Sequence, residues 1–423
     1  MTPATEARSV PALLDRFSGT PLLAIAEKVV EGRRLSSEEG LTLFKTQDFL
    51  RVGLLANHAR EKRHGNVGYY NVNRYLNPTN LCWVDCALCA WARKPGVDGG
   101  YTMSIEEAVS EAAAGWHDGI TELHIVGGLH PSLPYAWYLD LLRALKARFP
   151  GVHLKTWTMV ELDWIARVAK KDVVEVIDDL KAAGMDSCPG GGAEIFAKNV
   201  RDVICRDKIS GERWLELARL CHENGVKTNV TMLYGHVETF AERVDHLVRI
   251  RELQDETQGF LGFIPLAFHP EETQLPHLPP ATGLTDLRVI AVARLMLDNV
   301  DHIKAYWVQI GEKLAPVALH FGADDLVGTV TEETITHAAG ARTEAGLSRA
   351  DMERMIRGAG REPFERDAYY ERVVRDEKGR VLRANRHDFA GSRETGPPKP
   401  KRESEDGHPA PHAGKLDAAI ASS

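Results

Sequence analysis

"NPTNLCWVDCALCAWAR" (77–93) carries three of the chain's six cysteines, Cys82, Cys86 and Cys89, spaced C-x3-C-x2-C. Three thiolates at that spacing, on a loop just after a strand, can hold three corners of a cubane iron–sulfur cluster. A structural zinc site or an electron-transfer cluster ordinarily recruits a fourth protein ligand. Cys188, Cys205 and Cys221 lie far downstream. Cys221 also falls on an apolar helix stripe, where a free thiol packs as a small hydrophobe. An iron left without a protein ligand is open to a small molecule, so the missing fourth cysteine is informative. The alternative is a zinc site completed by a histidine such as His64 or His130.

The strand-like run "VGYYNVNRYL" (67–76) leads into this cluster, and beyond it the pattern alternates. "ELHIVGG" (122–128), "HLKTWTM" (153–159), "MDSCPGGG" (185–192), "VKTNVTMLYGH" (226–236), "FLGFIPLAFHP" (260–270) and "IKAYWVQIG" (303–311) read as short buried strands with loops after them. Between them lie helices of 3.6-residue periodicity. Ser104 and Glu107 form a capping-box pair ahead of one. Tyr138, Leu141, Leu142, Leu145 and Phe149 stripe the next, Val173, Val176, Ile177 and Leu180 a third, and Trp214, Leu217, Ala218 and Cys221 a fourth. Serial βα units imply a parallel sheet with right-handed crossovers. Gly- and His-containing loops after nearly every strand favour an α/β fold of the (β/α) TIM-barrel type, complete or nearly so, with its site at the C-terminal rim. The expected organisation is an N-terminal helical extension (1–66), the barrel (67–330), a C-terminal helical extension (331–370) and a disordered tail (371–423), rich in Pro, Gly and charge.

Composition narrows the class. Hydrophobic content of 43% and charged content of 26% suit a globular enzyme. A net charge of −8 counts against nucleic-acid binding, which needs a basic stripe. No apolar run is long enough to cross a bilayer and the start lacks a signal peptide's apolar core, so the expectation is a cytoplasmic protein with no membrane partner. Three clustered cysteines in so large a chain do not read as a disulfide framework.

Several loops carry candidate chemistry. In "HIVGGLHP" (124–131), Gly127 and Gly128 let the backbone approach a ligand closely, or simply make a tight turn. "SCPGGGAEIF" (187–196) lacks the Walker lysine and the dinucleotide fingerprint, so phosphate binding is poorly supported. Glu161 can bind a ribose hydroxyl or stand as a surface carboxylate. Tyr234, His236 and His269 fall just beyond later strands, at the end of the barrel where His130 also lies.

C-x3-C-x2-C after the first barrel strand resembles the radical S-adenosylmethionine (SAM) superfamily. The strings "ELHIVGGLHP", "PGGGAEIF", "ISGERW", "TMLYGHVET", "RELQDET" and "IPLAFHPEETQL" resemble its menaquinone- and deazaflavin-pathway members over roughly residues 20–370. "IPLAFHP" and "RLMLDNVDHIKAYWVQIGEKLAPVALHFGADDLVGT" are most similar to the aminodeoxyfutalosine synthase family, whose sister cyclases are expected to carry Gln where His269 stands. The resemblance implies a 4Fe-4S cluster on Cys82, Cys86 and Cys89, with SAM on its open iron as a consumed co-substrate. Gly127 and Gly128 then meet the SAM amino group. It implies 3-[(1-carboxyvinyl)oxy]benzoate as substrate, and a low-potential electron donor such as a flavodoxin or ferredoxin. On that reading His269, His236 and Tyr234 are candidate catalytic groups, Glu161 is a cofactor contact, and His130, His236, His269 and Lys304 are candidates to hold the substrate carboxylates. Trp157, Phe263, Phe268 and Tyr306 are expected to exclude water. One departure is Leu88, at a position the superfamily fills with an aromatic near adenine; Trp91 or Trp83 is the candidate replacement.

Overall fold

In a computed structural model, residues 10–114, 116, 119–385 and 387–388 are described. The first strand is broken at Val72 into β1 (Val67–Asn71) and β2 (Asn73–Leu76). There follow β3 (Glu122–Ile125), β4 (His153–Thr156), β5 (Ser187–Cys188), β6 (Lys227–Tyr234) and β7 (Phe260–Ala267). Strands β2 to β7 form a curled, parallel six-stranded sheet in chain order. Single parallel bridges, Phe263 to Ile303 and Lys304 to Asp325, carry the pairing on to β8 (Asp325–Gly328). Strand β8 pairs with β1, and Arg74 bridges Thr331, so the ring closes as a TIM-type barrel. A further strand, β9 (Glu362–Glu365), lies along the other side of β1.

Side-chain alternation explains the two faces. Leu123, Ile125 and Leu154 are fully buried on one face. On the opposite face Glu122 meets Lys155 at 2.7 Å inside the ring. The helical stripes fall where the periodicity puts them: Tyr138, Leu141, Leu142 and Leu145 are buried on Tyr135–Arg148, and Trp214, Leu217, Ala218 and Cys221 on Gly211–Glu223. Ser104 and Glu107 cap Ile105–Ala114 reciprocally. The N-terminal region holds the helices Leu23–Glu31, Ser37–Lys45 and Phe49–His64. Phe49 stacks on Phe321 at 5.1 Å, and Gly53 leaves room for that ring. No helix among the described residues is long and apolar enough to cross a membrane.

Three expectations change. "IKAYWVQIG" is not a strand: Ile303 and Lys304 join the ring, and the chain then turns into the short helix Trp307–Ile310. Burial makes such a run apolar in either state, so periodicity cannot separate them. Strand β8 went unread because its start is acidic. Asp324 is buried against Arg294 and accepts from Ile303 N at 2.7 Å, while Asp325 accepts from Arg366 and Tyr370, both at 2.7 Å. Finally, the expected tail does not begin at 371. Strands β10 (Val374–Arg375), β11 (Val381–Ala384) and β12 (His387–Asp388) form a small antiparallel sheet. Arg375 pairs with Glu365, and Asn385 donates to Thr121 O at 2.7 Å. Polar anchors rather than an apolar stripe hold this sheet, which is why hydrophobic patterning missed it. Residues 389–423 lie outside the described residues.

A chain ending at residue 390 should therefore melt like the full chain and turn over normally, whereas one ending at 373 loses the Arg375 and Asn385 anchors. Its denaturant midpoint should fall by the equivalent of about 2–4 kcal/mol, the scale for breaking buried charge and amide partners. Equal midpoints for the two chains would show that the sheet contributes nothing.

Candidate active site

The loops at the C-terminal ends of the strands enclose a cavity of about 340 Å³. One wall is the cysteine loop after β2. Cys82 and Cys86 are buried and Cys89 half-buried, and all three line the cavity. The loop is pinned at both edges: Cys82 N donates to Arg93 O at 2.9 Å, Trp83 N to Leu129 O at 2.8 Å, and Cys89 N to Cys86 O at 3.0 Å. Leu129 N donates to Cys82 Sγ at 3.4 Å, the kind of contact that supports a ligating sulfur. Burial pushes the Cys86 thiol up to about 12 and raises Cys82, so as thiolates these sulfurs need a cationic partner. Three soft donors on one wall of a largely apolar cavity fit an iron–sulfur cluster. Of the other thiols, Cys188 and Cys221 are buried in the barrel wall, and Cys205 comes near enough to Cys86 to feel its charge.

Neither histidine weighed for the zinc alternative lines the cavity with the three thiols. His64 lies just before β1, at the opposite end of the ring, its Nε2 2.9 Å from Asp301 O. Nδ1 of His130 accepts from Ser132 N and Leu133 N at 3.1 and 3.0 Å, so this histidine holds the turn after β3.

Gly127 and Gly128 line the cavity, but their glycine character serves the cysteine loop. A Cβ on Gly128 would sit 2.2 Å from Leu81 O, and Gly128 N donates to Thr79 O at 2.8 Å. Gly127 N donates to Glu161 Oε1 at 2.8 Å. Glu161 is no surface carboxylate: it lines the cavity at 5% exposure, and Thr158 donates to its other oxygen through N and Oγ1 at 2.8 and 2.7 Å. Burial raises its carboxyl to about 7, against the pull of those hydrogen bonds. Leu88 and Trp91 line the cavity, whereas Trp83 is 64% exposed and stacks outward on Trp164.

The other wall combines β7 with the C-terminal segment. Phe268, His269, Tyr306 and Gln309 line it together with Glu333 and Thr336. His124, stacked on Tyr75 at 4.4 Å, forms part of the inner surface, and burial lowers it to about 3.

Several expected residues are not brought to this cavity. Tyr234 turns outward and donates to Asp286 at 2.8 Å on the helix Gly283–Met296. His236 is held between Leu233 O at 3.0 Å and the Glu238 carboxylate at 2.9 Å. Lys304 sits within the ring, 3.8 Å from Asp325, where burial lowers it to about 7. Trp157 packs edge-on against Tyr138, and Phe263 is buried away from the cavity. Position after a strand locates a residue near the rim; the pleat decides which way it points.

Sequence reading missed the Lys208–Glu194 pair, 2.6 Å apart and lining the cavity near Cys86. Of the described lining residues, Lys208 alone is a lysine or arginine. Its signal was faint: Glu194 ends the glycine-rich loop with φ +47, and Lys208 stands in an unremarked turn. Gln309 lies in the quoted string "IKAYWVQIG" but drew no role there, and Glu333 and Thr336 carried no motif at all.

Comparison with known proteins adds an independent line. The "Radical SAM superfamily" family matches residues 76–250, and the "CofH/MqnC C-terminal region" matches residues 257–378. The aminodeoxyfutalosine synthase of Thermus thermophilus is 49% identical over 356 residues, 83% of this chain and 96% of that protein. The Streptomyces coelicolor enzyme of the same name is 43% identical over 366 residues, 84% and 94%. A 5-amino-6-(D-ribitylamino)uracil–L-tyrosine 4-hydroxyphenyl transferase of Methanoculleus marisnigri is 39% identical over 356 residues, 83% and 97%. Among solved structures, methylornithine synthase (TM-score 0.60, 17% identity, 80% of this chain and 96% of that one) shares the fold. So does the FeFe-hydrogenase maturase of Carboxydothermus hydrogenoformans (TM-score 0.64, 17% identity, 86% and 85%).

A barrel with an open three-thiol loop at its mouth is the architecture of an enzyme that uses a 4Fe-4S cluster and SAM. The chain belongs to the radical SAM superfamily, alongside the aminodeoxyfutalosine synthases and the 4-hydroxyphenyl transferases.

Two outcomes follow from this geometry. Ala in place of Cys82, Cys86 or Cys89 should abolish iron loading, seen as loss of the brown visible absorbance, and Gly128→Ala should do the same by expelling the loop. Cys188→Ala, Cys205→Ala and Cys221→Ala should load normally; loss of the cluster in Cys205→Ala would make that thiol a ligand. For Glu161, a raised carboxyl binds its proton more tightly folded than unfolded. It therefore contributes stability that is complete below the ordinary value of 4.5 and is lost as pH rises towards about 7. The stability difference between wild type and Glu161→Gln, measured by denaturant titration, should fall over that window and level off above it; a flat difference would contradict the assignment.

Proposed function

We propose that the enzyme joins the 5′-deoxyadenosyl group of SAM to the vinyl carbon of 3-[(1-carboxyvinyl)oxy]benzoate, giving aminodeoxyfutalosine for menaquinone synthesis. The observation that carries this reading is the 49% identity to the Thermus synthase across nearly that protein's whole length. The cavity is consistent with it. When bound, the cluster supplies the electron that cleaves SAM into methionine and the deoxyadenosyl fragment. Cys82, Cys86 and Cys89 would hold it, and Lys208 would place a positive charge beside it. Leu266, Phe268 and Tyr306 wall the far end and keep water from a reactive carbon. Enclosure between the cysteine wall and the His269 wall keeps the two substrates in register, which favours addition over side reactions. Loss of the vinyl-borne carboxylate as bicarbonate or CO2 completes the reaction. A flavodoxin or ferredoxin is the electron donor this reading calls for.

The second reading is the activity of the other relatives, whose names specify L-tyrosine and 5-amino-6-(D-ribitylamino)uracil. A third, hydrogen abstraction with ring closure on dehypoxanthine futalosine, is the sister cyclase reaction.

The test is anaerobic incubation of reduced, cluster-loaded enzyme with SAM labelled in its adenosine. Label should enter a product that retains adenine and the benzoate ring, with one methionine and one bicarbonate or CO2 released per turnover. Labelled 5′-deoxyadenosine as the main product, with tyrosine or dehypoxanthine futalosine consumed and the benzoate untouched, would replace this reading with one of the other two.

A further inference from the structure

On the wall of the cavity opposite the cysteines two side chains keep unanswered polar atoms. His269 follows β7 and lines the cavity, and its Nε2 is buried with no hydrogen-bond partner among the described residues. Oε1 of Gln309, which lines the same cavity, is likewise buried and unpartnered. Lowered by burial, the ring is neutral in the free enzyme at neutral pH and above, with a hydrogen on one nitrogen only.

The charges facing His269 come from two elements. Glu271 lies on its own loop, and Glu333 and His337 lie on the segment that covers the barrel. Glu333 is already committed, accepting from Thr336 N at 2.8 Å and facing His337 Nδ1 at 2.8 Å. Lys208 is at the cluster wall, paired with Glu194. A carboxylate that reaches the His269 wall thus meets no lysine or arginine among the described lining residues. It meets a neutral ring, which offers no charge unless both nitrogens carry protons. Nε2 then offers a donor and the ring a charge.

We propose that His269 is a proton-linked anchor for one carboxylate of the substrate, its ring taking a proton from solvent as the carboxylate arrives. This rests on the benzoate reading above. The balance is simple: neutral imidazole, one solvent proton and one carboxylate become an imidazolium–carboxylate pair, and no covalent bond changes. Burial holds the free ring below the ordinary histidine value, so at neutral pH and above the proton must be imported on binding. Affinity then falls by up to about tenfold per pH unit in that range.

The experiment uses cluster-loaded enzyme kept oxidised, with SAM present, so that nothing turns over. It is titrated calorimetrically with 3-[(1-carboxyvinyl)oxy]benzoate, at about pH 7.5 and about pH 8.5, in two buffers of different ionisation enthalpy. The expected result is close to one proton taken up per benzoate bound, with a Kd that rises with pH. His269→Gln should bind more weakly, take up no proton and lose the pH dependence. Wild-type binding without proton uptake, or uptake that persists in His269→Gln, overturns the proposal alone. If that variant fails to load its cluster, His269→Asn takes its place, because the Glu161 carboxyl in the same cavity is a second proton acceptor. Absence of benzoate binding at either pH overturns the substrate reading and this proposal with it.

Discussion

The structure depends on one close approach between two backbones. The carbonyl of Leu81 lies where a side chain on residue 128 would begin. That contact, with the Gly128 to Thr79 and Trp83 to Leu129 hydrogen bonds, presses the cysteine loop against the loop that follows β3. The three sulfurs then line the cavity as one wall, and Leu129 can reach Cys82 Sγ. Glu161, in the first turn of the helix Met159–Ala169 after β4, braces the same junction by taking the Gly127 N–H. Any residue larger than glycine at 128 moves backbone rather than a flexible side chain, and backbone is costly to move.

Inside the ring lies a layer of paired charge: Glu122 with Lys155, and Asp325 with Arg366 and Lys304. Burying charge is expensive, and pairs of this kind specify an arrangement more than they stabilise it. Here they tie β3 to β4, and β8 to the chain beyond β9, across places where the ladder is short. The same layer accounts for Lys304, which serves this arrangement and does not reach the cavity.

Much of the fold was legible. The apolar stripes, the capping box at Ser104 and the glycine loops all landed where local chemistry put them, because each rests on spacing within one element. The cysteine spacing was legible for the same reason. What was hidden depends on contacts between distant segments. Strand β8 opens on acids whose partners, Arg294 and Arg366, are far away in the chain. Tyr234 and His236 sit at the right end of the barrel, but neither lines the cavity, and a count of residues past a strand end does not fix the pleat. Lys208 and Glu194 acquire meaning only when the fold brings them to Cys86. The C-terminal sheet is held by Arg375 and Asn385, and single polar anchors leave no period to read.

The neighbours of β1 have a consequence for how the molecule is made. Both of its partners, β8 and β9, come from the last third of the chain, whereas β2 finds β3 early. During synthesis β1 therefore has no strand to pair with until residue 325 has emerged, although the cysteine loop is among the first parts of the barrel to appear. Such long-range pairing is slow to form. When β7 has been made, the chain contains every strand of the β2–β7 sheet but lacks those that close the ring, and lacks Gln309 and Thr336, which line the cavity. The segment that shelters the cavity in the finished enzyme is made only after the whole of the sheet from β2 to β7.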